Sequence, residues 1–150
     1  MEAAIDEAEI LIRPWREKDL PQLALLSGEL GYPATAAQVA RRLSQIGAAG
    51  MILVAADSNS DLPLGWIELQ VVTHVTSDPH LEICGLVVGA GARSRGIGSL
   101  LVAAAEKTAR EKNIPCLRVR SNIVRNRAHS FYERLGFANV KTSKVFEKAI

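Results

Sequence analysis

The chain has 150 residues, 48% apolar and 23% charged, which is the composition of one soluble globular domain and excludes a disordered chain. No stretch supplies the roughly 20 apolar residues of a membrane span, and the acidic start MEAAIDEAEI lacks the basic region and apolar core of a signal peptide. Two cysteines, Cys84 and Cys116, sit in apolar strand-like contexts as expected core positions and are too few for a disulfide framework or a four-ligand zinc site. A reducing cytoplasm is the expected location.

The net charge of +2 hides a division along the chain. Residues 1–92 carry a net −7, residues 93–134 a net +7, and residues 135–150 a further +2. Such a split points to surfaces that meet ligands of opposite sign. The basic block has no interleaved aromatics, which argues against a nucleic-acid groove.

Residues 1–8 read as an acidic arm and residues 9–150 as a single domain. Glu9 to Pro14 is a short apolar run closed by proline, a predicted strand. Asp19-Leu20-Pro21 opens a helix, with Asp19 as its N-cap and Leu20, Leu23, Leu26 and Leu30 at helical spacing, and Gly28 and Gly31-Tyr32-Pro33 break it. Thr35 caps a second helix with Val39, Leu43 and Ile46 on one face. Gly50 to Asp57 reads as a buried strand, Leu64 to Thr76 as a longer one, and His80 to Val88, after Asp78-Pro79, as a third. Ile97, Leu100, Leu101, Ala104, Ala105 and Thr108 form the apolar face of a helix ending near Asn113. Pro115 to Ser121 alternates as a strand, and Asn126 to Leu135 is a short helix closed by Gly136. Residues 137–150 alternate well enough for two short strands. The predicted order is β-α-α-β-β-β-α-β-α-β-β, a mixed α/β sheet with helices on both faces.

The densest chemistry lies between Leu86 and Ser99, where a strand enters a glycine-bearing turn that opens the best helix. A helix start presents main-chain N–H groups without internal partners and the positive end of the macrodipole. Gly96 and Gly98 remove side chains that would keep an anion away, while Arg93 and Arg95 add charge. The turn therefore suits a phosphate or pyrophosphate. It is not the dinucleotide fingerprint G-x-G-x-x-G, which would need glycine at Ser94 or Leu101. Nor is it a Walker loop, because Ile97 stands where lysine is required.

Arg93-Ser94-Arg95-Gly96-Ile97-Gly98 resembles the Arg/Gln-x-x-Gly-x-Gly/Ala motif of the GNAT superfamily of acyl-CoA-dependent N-acyltransferases. Phe131-Tyr132-Glu133-Arg134-Leu135-Gly136-Phe137 resembles that family's second signature. The element order also matches, so the resemblance covers nearly the whole chain and implies a GNAT-like, mostly antiparallel sheet. It further implies acetyl-CoA as co-substrate, its pyrophosphate on Arg93, Ser94, Arg95, Gly96, Ile97, Gly98 and Ser99. The main chain of Leu86, Val87 and Val88 would take the pantetheine arm. Gly85 independently reads as a bulge or a close backbone approach.

The resemblance assigns Tyr132 as proton donor to the departing thiolate, a role tyrosine can fill while neutral at physiological pH. Asn126 and Asn122 are candidate helix caps or CoA contacts. Where the family often has asparagine, seven residues before the tyrosine, this chain has Arg125. For the base that takes the proton of the substrate ammonium, Glu82 stands first and Glu68 second, with a water relay as the alternative; either carboxylate would need a raised pKa. Neither the three histidines nor the cysteines show metal-ligand spacing. The acceptor is expected at the loop Glu29 to Thr35, with Glu29, Tyr32 and Glu68 as contacts, and the acidic first half favours a cationic amine. A small-molecule amine is the leading acceptor. A protein N-terminus or lysine, or a non-catalytic acyl-CoA sensor, is the competing reading. No nucleic acid or membrane partner is expected, and a homodimer is.

Overall fold

Residues 9–150 are described by the structure, a computed structural model; the arm expected over residues 1–8 lies outside them. Strand β1 (Ile10–Pro14) leads through a 3₁₀ turn at Glu17–Asp19 into α1 (Leu20–Leu30) and α2 (Ala36–Gln45). Strands β2 (Gly50–Asp57), β3 (Pro63–Val72) and β4 (His80–Val88) follow, then α3 (Ile97–Glu111), β5 (Leu117–Val119) and α4 (Asn126–Arg134). From β1 to α4 this is the predicted order.

The five strands form one sheet in the order β1-β2-β3-β4-β5. The first four pair antiparallel and β5 joins β4 in parallel, which requires the crossover that α3 supplies. Along β3 the residues Pro63, Gly65, Ile67 and Leu69 are buried while Leu64, Trp66 and Glu68 are half-buried, the period-two signature of a strand with two different faces. Helix α3 buries Ile97, Leu101, Val102, Ala105 and Ala109. Helix α1 buries Leu23, Ala24 and Leu26. These residues, with Val54, Ile67, Leu69 and Leu81, make the core.

Three local expectations change. Helix α1 runs through Gly28 and stops at Gly31, whose φ of 103° is the left-handed cap; the glycine cost of about 1 kcal/mol inside a helix is outweighed by the buried leucines around it. Asp19 precedes α1, but its side chain makes no cap to that helix. It accepts instead from the Arg16 N–H at 2.7 Å and from the Arg13 guanidinium at 2.8 Å. Cys84 and Cys116 are free, and both are exposed where packed positions were expected.

The chain divides into two compact units, with the boundary between Val119 and Arg120. In the second unit α4 ends at Arg134, and Gly136 just past it has the expected left-handed φ of 93°. Residues 137–150, where two short strands were predicted, carry no strand, and every residue from 138 onward is exposed. Alternation supplies two faces, but a strand also needs a hydrogen-bonded neighbour.

Candidate functional site

Strands β4 and β5 pair at Leu81↔Leu117, Glu82↔Arg118 and Ile83↔Val119, and the ladder has no rung beyond Ile83. Past that point β4 continues for five more residues, Cys84 to Val88, held only on its β3 side. On the other side their main-chain groups make no rung with β5. The β3 ladder is irregular at the same place. Leu69 pairs with Ile83 and Glu68 with Gly85, so Cys84 is an extra residue on β4, the signature of a bulge. The glycine reading at position 85 thus finds its bulge. A Cβ on Gly85 would lie 2.9 Å from Trp66 Cζ3, so no other residue fits there without moving the indole.

At its other end β4 runs into the turn that starts α3. Gly89 N–H donates to Leu64 O at 2.8 Å and Ala92 N–H to Gly89 O at 2.9 Å. Ser94 and Gly96 both adopt left-handed backbone, with φ of 68° and 74°. For Ser94 that conformation is strained, a condition that persists where a site requires it. Gly96 is the residue before α3 and gives no side-chain cap, so among the described residues no N-cap side chain covers the first-turn N–H groups of Ile97, Gly98 and Ser99, which have no partner within the helix. The Ile97 side chain is 1% exposed, which leaves its main chain alone to serve. Arg93 is exposed, and Arg95 lies 3.7 Å from Glu9. Beside the turn, a cavity of about 310 Å³ opens between α1 (Gln22, Leu25, Glu29) and Gly89–Ala92.

The carboxylates divide by environment. Glu68 is half-buried directly opposite Gly85, and burial raises its pKa above the ordinary carboxylate value. Glu82 lies two pairs further along the β3–β4 ladder and meets His80 Nε2 at 3.2 Å. His80 is 2% exposed, and His74 stacks on it at 5.8 Å. Cys84 feels both glutamates: partial burial of its thiol, with the charges of Glu68 and Glu82 nearby, pushes its pKa up to about 11. Glu29 is brought to the turn, where Oε1 accepts from the Ala90 N–H at 3.4 Å. Tyr32 stays exposed on the α1–α2 loop, tied by its backbone to Ser27.

Tyr132 and Asn126 belong to the second unit. There the Tyr132 ring meets Phe131 and Phe137 edge-on, at 5.2 and 5.4 Å. Burial raises its pKa, against the opposing charge of Arg125, so the phenol keeps its proton. Asn126 is the first residue of α4; Asn122 Oδ1 accepts from the Val124 N–H at 3.2 Å and its carbonyl meets His129 Nε2 at 2.9 Å.

Two features escaped the sequence. Trp66 lies against the bulge with its Nε1 buried and unpartnered, and His80 backs Glu82. Alternation on β3 was visible, but the cross-strand register that brings Trp66 to Gly85 was not. Among the described residues no group of His, Cys, Asp and Glu is placed to hold a metal, and no helix is long and apolar enough to cross a membrane.

Comparison with known proteins gives the family. Residues 12–137 match the family model of the acetyltransferase (GNAT) family. The chain belongs to that family. A solved structure described as a transcriptional regulator from Bacillus halodurans C-125 is similar at 22% identity and a TM-score of 0.82, over 93% of this chain and 99% of the other. An aminoglycoside antibiotic 6'-N-acetyltransferase from Acinetobacter baumannii is similar at 20% identity and a TM-score of 0.81, over 94% and 99%. AAC(6')-Iy, solved in complex with the bisubstrate analog CoA-S-monomethyl-acetylneamine, is similar at 19% identity and a TM-score of 0.77, over 94% and 99%. At these identities the neighbours speak for the fold. No curated protein sequence matches the chain at a significant level.

Proposed function

We propose that this GNAT-family acetyltransferase moves an acetyl group from acetyl-CoA to a primary amine, by direct attack of the amine on the thioester. The observation that carries this reading is the β4 edge from Cys84 to Val88, freed from β5 and running straight into the turn at Arg93–Ser99. The residues present fit the donor. Main-chain groups of Leu86, Val87 and Val88 would pair with the pantetheine amides. The N–H groups of Ile97, Gly98 and Ser99, with Arg93 and Arg95, would hold the pyrophosphate, Ser94 and Gly96 shaping the turn around it. Acetyl-CoA supplies an activated carbonyl and a thiolate leaving group.

The rest is proton handling. Glu68, with a pKa raised by burial, is a better proton acceptor than an ordinary carboxylate, and it lies opposite the bulge. Its position thus favours it over Glu82, whose contact with His80 offers a second route for the proton. The Tyr132 phenol, kept protonated by burial, is the donor for the leaving sulfur, and Asn126 remains a candidate CoA contact. A small cationic amine is the acceptor the acidic first half favours, with Glu29 and Tyr32 lining its approach.

Release of free thiol from acetyl-CoA across panels of small amines and peptides tests this directly. Turnover is expected with at least one cationic amine, and Tyr132→Phe should lower kcat by roughly 10- to 10⁴-fold with acetyl-CoA affinity near wild type. Tight CoA binding with no turnover on any amine or peptide would leave a sensor, and turnover on peptides alone would make a protein the acceptor.

A further inference from the structure

We infer that Trp66 sets the length of acyl chain the site accepts, restricting the donor to the shortest acyl groups. The inference rests on the cofactor reading above and adds a specificity determinant to it. Gly85 on β4 and Gly89 just past its end are four residues apart, about 13 Å at strand rise. A donor held by its phosphates at the turn and paired along Leu86–Val88 therefore brings its thioester to the bulge at Cys84–Gly85. Alternation places Leu64, Trp66 and Glu68 on one face of β3, and the register puts Glu68 directly opposite Gly85. On that face the benzo edge of Trp66 closes the space over the bulge: Cζ3 and Cη2 lie 2.9 and 3.1 Å from where a Gly85 Cβ would be. The ring thus fills the space that a side chain at position 85 would need. On the other face the cross-strand pair Leu69 and Ile83 is buried at 0% and 2% exposure, so a longer chain cannot extend that way either. Since the ring presents its benzo edge to Gly85, its Nε1 points elsewhere, where it is buried and unpartnered. What the indole contributes at the bulge is bulk.

Calorimetric titration of wild type, Trp66→Phe and Trp66→Val with free CoA, acetyl-CoA, propionyl-CoA and butyryl-CoA tests this without needing the acceptor. Wild type should bind butyryl-CoA at least about 10-fold more weakly than acetyl-CoA, the scale of discrimination per methylene in an apolar pocket. Trp66→Val should shrink that ratio by about 10-fold or more while free CoA binds as in wild type, and Trp66→Phe should fall between. Gly85→Ala, whose Cβ would displace the indole, should change the ratio of propionyl-CoA to acetyl-CoA affinity; it and Trp66→Phe carry the test should Trp66→Val fail to fold. Equal affinities for acetyl- and butyryl-CoA in wild type, or an unchanged ratio in variants that bind free CoA normally, overturn the inference alone. Absence of free CoA binding to wild type overturns the cofactor reading as well.

Discussion

At the β1 end of the sheet, the Arg13 guanidinium is 5% exposed and all three of its nitrogens bond within the chain. Asp19 takes two of those bonds at 2.8 and 3.0 Å, Asp61 takes another at 2.9 Å, and the carbonyls of Pro14 and Asp61 accept the rest. Asp61 also receives Arg16 and Lys18. At the β4 end the opposite holds: the strand edge has lost its β5 ladder and the turn before α3 presents helix-start N–H groups with no side-chain cap. Both regions concentrate charge, yet only the second leaves donors open. A site densely paired with itself contributes to stability, and one whose donors face outward is suited to a ligand. Substitutions in the two regions should therefore separate, the first acting on unfolding and the second on binding.

The largest effect should come from Asp19→Ala. It leaves Arg13 buried with two of its five hydrogen bonds gone, and breaking a buried ion pair from one side costs about 3–5 kcal/mol. For a domain of this size that is on the order of 10 °C in Tm. Chemical denaturation should show the loss, while CoA titration well below the new Tm should give wild-type affinity. A stable Asp19→Ala would mean the network is a solvated surface cluster. Gly96→Glu should do the reverse. It places a carboxylate at the turn where the phosphates are assigned, and the weakening of CoA should exceed about 2 kcal/mol, roughly 30-fold in Kd. Its stability cost is the left-handed backbone at φ 74°, about 1–2 kcal/mol for a residue with a Cβ. Wild-type affinity in that variant would remove the turn from the site.

The contrast also explains what the sequence could reveal. The turn was legible because its glycines and arginines lie in one contiguous stretch between a strand and a helix, and the bounds of β4 followed from Asp78-Pro79 before it and Gly89 after it. Gly85 marked the bulge for the same local reason. The Arg13 network was not legible, because Asp61 is 48 residues away and reaches Arg13 only through the register of β1 on β2. Asp19 looked like a helix cap, since an aspartate before a leucine-proline pair has that local meaning whether or not a buried arginine claims it. Trp66 over Gly85 depends on the one-residue slip at the bulge. The alternation of residues 137–150 was read correctly as a pattern, but a pattern cannot supply a neighbouring strand.

The smallest expected effect is a pH dependence that belongs to the first region alone. Lys18 and Arg13, bonded to the Asp61 carboxylate, lower its pKa to about 2 from an ordinary 3.8, and the Arg13 and Arg16 hydrogen bonds hold Asp19 below its ordinary value despite burial. Both groups then bind protons more weakly folded than unfolded. Their contribution is fully present above about pH 4 and is lost as pH falls toward 2, since the unfolded chain takes up protons first. Asp61 is exposed enough for solvent to screen its share, so Asp61→Asn should flatten the acid limb only slightly, and the Asp19 share should remain. Urea midpoints measured from pH 5 down to 2.5 would show this. Gly96→Glu, placed in the second region, should keep the wild-type acid slope from the Arg13 network. An acid limb unchanged in Asp61→Asn and Asp19→Asn alike would show that the network does not couple protonation to folding, and the contrast between the two regions would then rest on binding alone.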